Sequence, residues 1–277
     1  MTETLLDGLA FAEGPRWRTD RLYFSDVAAG LVLSVDLAGN TKTVAEIDGG
    51  PSGLGWLPDG SLLVARGNPA QILRIDADGE ASIHADLTAM ATFPCNDMVV
   101  DQTGRAWVGT CDVGGIPAPA PSQLIQVEPD GTAVVVDGSM RFPNGSVVTP
   151  DGATLIVAET FGAGLMAFTI DPEGPARDKR QWATVEGSLP DGICLDAEGA
   201  VWFADPVANA AVRVREGGEV VERVPTEQGC FACTLGGEDG RTLFLLTGEL
   251  APPEQNLRNR PGRIETVRVA VPGAGSP

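Results

Sequence analysis

The sequence is poor in residues that support histidine-based or cysteine-based chemistry. His84 is the only histidine among 277 residues, and it falls in the strand-like run ASIHADL, so a serine or cysteine triad with a histidine base is disfavoured. The five cysteines are an odd number and do not resemble a disulfide framework. Cys230 and Cys233 form a C-x-x-C that no second C-x-x-C accompanies. We therefore expect this pair to be small apolar strand residues rather than zinc ligands or a redox pair.

The sequence also has few basic residues and no long hydrophobic run. Its 19 Lys and Arg residues stand against 38 Asp and Glu residues, a net charge of −19, which opposes binding to nucleic acid or to anionic membranes. No window approaches the roughly 20 apolar residues of a membrane-spanning helix. The start MTETLLDGLAFAEGP lacks the basic and apolar regions of a secretory signal. The sequence predicts a cytoplasmic protein that acts on a small diffusible molecule, and it does not indicate an oligomeric state.

Sustained helical periodicity and phosphate-binding fingerprints are missing too. The Gly-rich stretch LGGEDGRT at 235–242 lacks the lysine and the βαβ context of a P-loop, and we interpret it as a hairpin turn. The 35 glycines and 21 prolines suit a chain that turns often. The composition therefore favours an all-β fold.

What the sequence does contain is one unit that recurs six times. Each copy has a turn with Pro or Gly, an anchor residue, a short strand, an Asp/Gly turn and a strongly apolar strand. The copies are FAEGPRWRTDRLYFSD from 11, GGPSGLGWLPDGSLLVAR from 49, FPCNDMVVDQTGRAWVGT from 93, RFPNGSVVTPDGATLIVAE from 141, SLPDGICLDAEGAVWFAD from 188 and GCFACTLGGEDGRTLFLLT from 229. Two weaker strand-like runs follow each copy, such as LVLSVDL and TKTVAEI after the first. Each unit therefore holds about four strands.

This repeat predicts a single domain over residues 1–277, a six-bladed β-propeller with four-stranded blades. A β-sandwich would also have short strands, but it would not have six matched copies along the chain. Either TETLLDG at the N-terminus or RIETVRVAV from residue 263 would supply the strand that closes the ring.

The anchor residues of the six copies are mostly polar. In chain order they are Glu13, Ser52, Asn96, Asn144, Asp191 and Ala232. Because the first strand of a propeller blade lines the central channel, we expect all six near one mouth of that channel. Their two carboxylates and two amides suit a hard divalent cation such as Ca²⁺, Mg²⁺ or Mn²⁺, with zinc less favoured. The alternative is that these side chains only end strands and bond to turn amides, which does not explain a glutamate at the first anchor.

Four motifs resemble those of the SMP-30/gluconolactonase/LRE family of regucalcin-like lactonases over essentially the whole chain. They are E-G-P at 13–15, N-D-x-x-V-D-x-x-G-R-x-W-V-G-T at 96–110, P-N-G at 143–145 and L-P-D-G-x-x-x-D at 189–196, the last followed by V-W-F-A-D. The resemblance implies a six-bladed propeller with one divalent metal ion (Ca, Mg, Mn or Zn) held in the central channel by Glu13, Asn144 and Asp191. It also implies that Asn96 lies close to the metal or binds substrate.

The sequence departs from this family at one position that matters for substrate. Sugar-lactone members often have an arginine two residues before the third anchor, and here that residue is Pro94. Either another residue such as Arg66 or Arg141 replaces it, or the substrate is not a polyhydroxylated sugar lactone. The residues that we expect to bind substrate are Asn96, Asp97, Arg66 and Asp112.

Together these features predict a divalent-metal-dependent hydrolase that opens a lactone ring. Asp191 would be both a metal ligand and the general base, whereas Asp196 is expected in a solvent-facing turn without a role. Two long loops beside the site, DVGGIPAPAPSQ from 112 and GELAPPEQNLRNRPG from 248, would be either lids or simple tethers. The alternatives are a non-catalytic Ca²⁺-binding or interaction propeller, and a metal-dependent propeller enzyme acting on another substrate such as a phosphotriester.

Overall fold

The computed structural model describes residues 2–162 and 164–275. Within these residues the strands form six four-stranded antiparallel sheets, which confirms the predicted propeller blades. Five of the blades consist of four consecutive strands, which run in chain order from the channel outwards. They are β2 (Ala12–Arg18), β3 (Arg21–Asp26), β4 (Leu31–Asp36) and β5 (Thr41–Glu46); β6 (Pro51–Trp56), β7 (Leu62–Arg66), β8 (Gln71–Ile75) and β9 (Ala81–Asp86); β10 (Cys95–Val100), β11 (Ala106–Thr110), β12 (Ser122–Val127) and β13 (Ala133–Met140); β14 (Pro143–Val148), β15 (Thr154–Glu159), β16 (Gly164–Thr169) and β17 (Arg177–Ala183); β18 (Ile193–Leu195), β19 (Val201–Asp205), β20 (Ala210–Val214) and β21 (Val220–Pro225).

The sixth blade joins the two ends of the chain. Its inner strands are β22 (Gly229–Gly236) and β23 (Thr242–Gly248), followed by β24 (Gly262–Arg268). The N-terminal strand β1 (Glu3–Leu9) pairs with β24 as the outermost strand. Both candidates for the closing strand are therefore used, because the sixth blade takes three strands from the C-terminal part and one from the N-terminus.

The inner strands form a closed ring, and the core lies between the blades. Contacts run in the cyclic order β2, β6, β10, β14, β18, β22 and back to β2. A hydrophobic cluster fills each space between neighbouring blades. Between the second and third blades, for example, Leu63 and Ile72 pack with Met98 and Val108. Because every blade shares a cluster with each neighbour, no blade buries its faces alone.

Glycine follows the anchor in four of the six inner strands, and it lets these strands approach one another closely. The four residues are Gly14, Gly53, Gly145 and Gly192. A Cβ at Gly53 would lie 2.1 Å from the backbone nitrogen of Met98 in the next blade, and one at Gly145 would lie 2.4 Å from that of Ile193. Both distances are shorter than any van der Waals contact. The glycines thus draw the anchor residues together around a narrow channel.

The loop from residue 248 contains a helix that the sequence pattern did not predict. Helix α1 spans Pro253–Asn259, with a proline in its first turn and Arg260 in the left-handed conformation at its end. Seven residues are too few to produce a visible helical period. Among residues 2–162 and 164–275, no helix is long and apolar enough to cross a membrane.

Candidate functional site

The anchor residues lie at one mouth of the channel, where the inner strands begin. Asn144 and Asp191 are buried, Glu13 and Asn96 are partly exposed, and Asp191 precedes β18 rather than belonging to it. The sixth anchor, Ala232, is completely buried and has no polar side chain to offer. The ring therefore brings two carboxylates and two amides to the mouth, together with the hydroxyl of Ser52, which donates to Asn96 Oδ1 at 3.5 Å.

A chain of hydrogen bonds links the two amides of the site. Asn96 Nδ2 donates to Asn144 Oδ1 at 3.2 Å, and Asn144 Nδ2 donates to Thr160 Oγ1 at 3.3 Å. The Thr160 hydroxyl in turn donates to the carbonyl of Pro190 at 2.7 Å. Because the hydroxyl proton is used on Pro190, Thr160 can only accept from Asn144, which fixes the amide with its oxygen on the Asn96 side.

The two carboxylates of the site are held in an environment that penalises their negative charge. Burial raises the pKa of Glu13 well above its usual value, and the nearby charges of Asp191 and Asp97 raise it further. Burial likewise raises the pKa of Asp191, and the charge of Asp97 raises it further. A hydrogen bond from Asn144 opposes this rise. Oδ1 of Asp191 is buried without a hydrogen-bond partner. A buried carboxylate oxygen without a partner destabilises the folded protein unless a cation or a proton binds to it.

This donor set fits the divalent metal ion that the family resemblance implies. Two carboxylates and two amide oxygens are hard ligands of the kind that Ca²⁺ and Mg²⁺ take, and the unpartnered oxygen of Asp191 is an atom that a cation would satisfy. In residues 2–162 and 164–275, no three His, Cys, Asp or Glu side chains are grouped to hold an ion. A ligand set of Glu13, Asn144 and Asp191 depends on an amide as its third member, and it stays a prediction.

The structure shows Asp97 in contact with Met98 and Arg16, whereas the sequence suggested a contact with substrate. It is buried, and its Oδ1 accepts from the Met98 amide at 2.8 Å and lies 3.4 Å from Nη2 of Arg16. Arg16 comes from the first blade and Asp97 from the third, so their ion pair spans the channel below the anchors. Asp97 thus contributes charge to the site from within the channel, and its contact with substrate stays a prediction.

Arg66 and Asp112 bind parts of their own blades. The Arg66 guanidinium donates to Gln71 on the next strand. Hydrogen bonds from Thr88 lower the pKa of Asp86 most, and a hydrogen bond from Gln71 and the charge of Arg66 lower it further. Asp112 caps a short 3₁₀ helix, Val113–Gly115, and accepts from the backbone amides of Gly115 and Ala120. The structure thus gives both residues local partners, and their proposed role in substrate binding is untested.

Aromatic or apolar residues stand two positions before three of the anchors, at Phe11, Pro94 and Phe142. The rings of Phe11 and Phe231 meet edge to face at 4.8 Å, and those of Phe142 and Phe161 do so at 5.5 Å. These pairs flank the first and fourth anchors, and Pro94 precedes the third. Arg141 is exposed; its backbone amide donates to Glu159, and its carbonyl accepts from the Phe161 amide.

Asp196 contradicts the expectation that it faces solvent. Its side chain is fully buried and forms an ion pair with Arg213 at 2.6 Å. Its Oδ1 also accepts from the amides of Glu198 and Ala200. The C-terminal segment covers this turn, since Ala197 N donates to Pro272 O and Ala274 N donates to Leu195 O. Asp196 is therefore a structural residue of the fifth blade.

Neither His84 nor the C-x-x-C pair supplies a nucleophile or a base to the site. His84 belongs to β9, an outer strand, which is consistent with its exclusion from a triad. Cys230 and Cys233 are buried thiols on β22, as the sequence predicted, and burial raises the pKa of both well above the usual value. No thiolate chemistry follows from them.

Sequence reasoning missed Thr160 and Arg16. Thr160, which directly follows β15, orients Asn144 on β14, and nothing in its own repeat marks that role. Arg16 had a detectable signal, since a basic residue in an inner strand of such an acidic chain needs a partner in the channel.

Comparison with known proteins agrees with this architecture. A 6-deoxy-6-sulfogluconolactonase of Pseudomonas putida is 27% identical over 96% of this chain and 93% of its own. Pentonolactonase XacC of Haloferax volcanii is 26% identical over 94% and 91%. The solved structure of a gluconolactonase from Xanthomonas campestris superposes with a TM-score of 0.78 at 25% identity, over 97% of this chain and 89% of that one. The sequence model of the SMP-30/Gluconolactonase/LRE-like family region matches residues 11–249, and the chain belongs to this family.

Proposed function

We propose that this protein is a lactonase, a hydrolase that opens a cyclic ester with the help of one divalent cation at the channel mouth. One observation carries the proposal: a buried carboxylate oxygen of Asp191 without a partner lies in a site that also contains Glu13 and the paired amides of Asn96 and Asn144. The names of the relatives support the same reaction class.

The side chains of the site divide the work as follows. Glu13, Asn144 and Asp191 would hold the cation, which when bound polarises a carbonyl and makes a nearby water more acidic. Asp191 accepts the proton of the attacking water, and the ester bond to the ring oxygen breaks. The same proton then passes to that oxygen, which leaves as the hydroxyl of a hydroxy acid. Asn96, whose amide nitrogen donates to Asn144 Oδ1, would orient the lactone.

The aromatic mouth points to a lactone with an apolar face. Phe11, Pro94 and Phe142 each precede an anchor by two residues, where their side chains would form a wall of the site, whereas Arg66 donates to Gln71 and Arg141 is exposed. Such a wall contributes apolar contacts rather than hydrogen bonds to ring hydroxyls. We propose that lactones with few hydroxyl groups are better substrates than aldonolactones.

The experiment is a panel of γ- and δ-lactones with graded hydroxylation, assayed after removal of metal and again with added Ca²⁺, Mg²⁺, Mn²⁺ or Zn²⁺. We expect ring opening that a chelator abolishes and a cation restores. If every lactone survives with all four ions, the lactonase assignment is wrong. A phosphotriester in the same panel tests the alternative substrate class, and metal binding without any turnover would indicate an interaction propeller.

A further inference from the structure

Arg16 lies in the central channel, between the candidate metal site and the opposite mouth. It belongs to β2 of the first blade, and its guanidinium donates to Met98 O and lies 3.4 Å from Asp97 Oδ1, both on β10 of the third blade. The second blade separates these strands in the ring, so the contact crosses the channel itself. Only 11% of the Arg16 side chain and 5% of the Asp97 side chain are exposed.

The position of Arg16 makes it the floor of the site. Its Nη1 donates to Pro15 O at 2.8 Å, which ties the guanidinium to the backbone of its own strand. Beyond it, a cavity of about 300 Å³ opens towards the other mouth, lined by the far ends of the inner strands, among them Val99, Ser146 and Thr234. The cluster of acidic groups thus lies on one side of Arg16 and this cavity on the other.

The side chains around Arg16 are mainly acidic. Glu13, Asp97 and Asp191 are close enough for their charges to raise the pKa values of Glu13 and Asp191. Asp205 is a further buried carboxylate whose charge raises the pKa of Asp191. Arg16 pairs with Asp97, and it therefore offsets the negative charge that Asp97 adds to this acidic group.

We propose that Arg16 is a built-in counter-charge for Asp97 that lowers the negative charge facing the metal site, and thereby favours a divalent over a trivalent cation. This inference rests on the metal site of the proposed function. Its physical basis is that a buried site binds most selectively the ion whose charge it balances, because surplus charge in a poorly solvated space is costly. Arg16 would act through charge, as a positioning residue, without touching the substrate.

The test is a double-mutant cycle read out by Ca²⁺ and Tb³⁺ binding, measured calorimetrically on full-length, metal-free protein. Asp97→Asn keeps an oxygen for the Met98 amide but leaves the charge of Arg16 without its counter-charge, so Ca²⁺ affinity should fall at least about tenfold. Adding Arg16→Met to Asp97→Asn restores the net charge of the wild type, and Ca²⁺ affinity should return to within about threefold of wild type. Arg16→Met alone should raise the affinity for Tb³⁺ relative to Ca²⁺ at least about tenfold.

Two further variants separate charge from shape. Arg16→Lys keeps the charge and loses the forked geometry, so its Ca²⁺ affinity should stay within about threefold of wild type. Arg18→Met removes the same charge from the same strand, but Arg18 is exposed and lies over the Trp56 ring at 4.8 Å. We expect Arg18→Met to change Ca²⁺ affinity by less than about twofold.

The outcomes distinguish this inference from the proposed function. If the double variant binds Ca²⁺ no better than Asp97→Asn, while wild type binds it well, Arg16 acts only by packing and the inference is wrong. Equal losses of Ca²⁺ affinity in Arg16→Lys and Arg16→Met would lead to the same conclusion. If wild type binds neither ion, the metal site of the proposed function fails first. Should Arg16→Met not fold, the comparison of Asp97→Asn with the double variant still decides.

Discussion

Asp191 and Asp196 belong to the same blade and carry the same carboxylate, yet their replacement by asparagine should have opposite consequences. Asp191→Asn should lower kcat by about 10² to 10⁴ because it removes a proton acceptor. It should leave the metal-free protein as stable as wild type or more so, since the buried charge it removes is repelled by Asp97 and has an unpartnered oxygen. Asp196→Asn should leave kcat unchanged and destabilise the fold.

The size of the second effect can be worked out from the contacts of Asp196. Breaking a buried ion pair by removing one partner costs about 3–5 kcal/mol. The cost is reduced in this blade because Arg213 keeps its second partner, Glu198, at 2.9 Å, and because the asparagine oxygen can still accept from the amide of Ala200. We expect a loss of about 2–3 kcal/mol in the free energy of unfolding. For a chain of this size that corresponds to a fall in Tm of about 5 °C.

The assay combines steady-state kinetics at saturating metal with thermal unfolding of the metal-free proteins. Arg213→Met removes the other partner of the pair and should destabilise to a similar degree, again with normal kcat. If saturating metal restores Asp191→Asn to nearly the wild-type kcat, Asp191 is only a ligand and another group accepts the proton. If Asp196→Asn unfolds at the wild-type temperature, the buried pair contributes nothing and the reasoning from burial is refuted.

Three further predictions concern the support of the site and of the ring. Thr160→Val removes the hydroxyl that orients Asn144, so Ca²⁺ affinity should fall about tenfold, with Thr160→Ser as the control that retains it. Gly53→Ala places a Cβ against the backbone of the third blade and should destabilise by about 3 kcal/mol or more in denaturant unfolding, whereas Gly138→Ala, with no atom closer than 4.0 Å, should not. Burial lowers the pKa of His84, so the folded state disfavours its protonation. The stability that neutral His84 contributes should be fully present above the unfolded pKa of about 6.5 and should be lost as the pH falls through the folded value. His84→Gln should remove that part of the pH dependence, and an unchanged acid limb in unfolding titrations would count against it.

The fold was predictable because a propeller repeats one local pattern. Each unit places its turns, its apolar second strand and its anchor at the same relative positions, so six weak signals support one another. Helix α1 was not predictable in this way, since it occurs once, in a loop, and is only two turns long. The closing strand was ambiguous because both ends of the chain have strand-like sequences, and the sixth blade uses both.

The site was predictable only as far as it follows from the repeat. Glu13, Asn144 and Asp191 meet because each occupies the anchor of its unit. Asp196 was misjudged because its turn sequence, D-A-E-G, is typical of exposed turns, whereas its burial comes from Arg213 and from the C-terminal segment packed over it. Such contacts join residues that are distant in the repeat, and no local pattern reports them.

The same distinction explains why the charge of the channel could not be obtained by counting anchors. Two anchors are acidic, which by itself suggests a site balanced for one dication. The structure adds Asp97, which follows an anchor where most other blades have glycine, and then offsets it with Arg16 from a blade that is not its neighbour. The charge that faces the cation is therefore a difference between opposing groups, not a count of acidic anchors. A substitution at either residue should therefore change cation binding without touching a single anchor side chain, and that expectation is specific to the contact between the first and third blades across the channel.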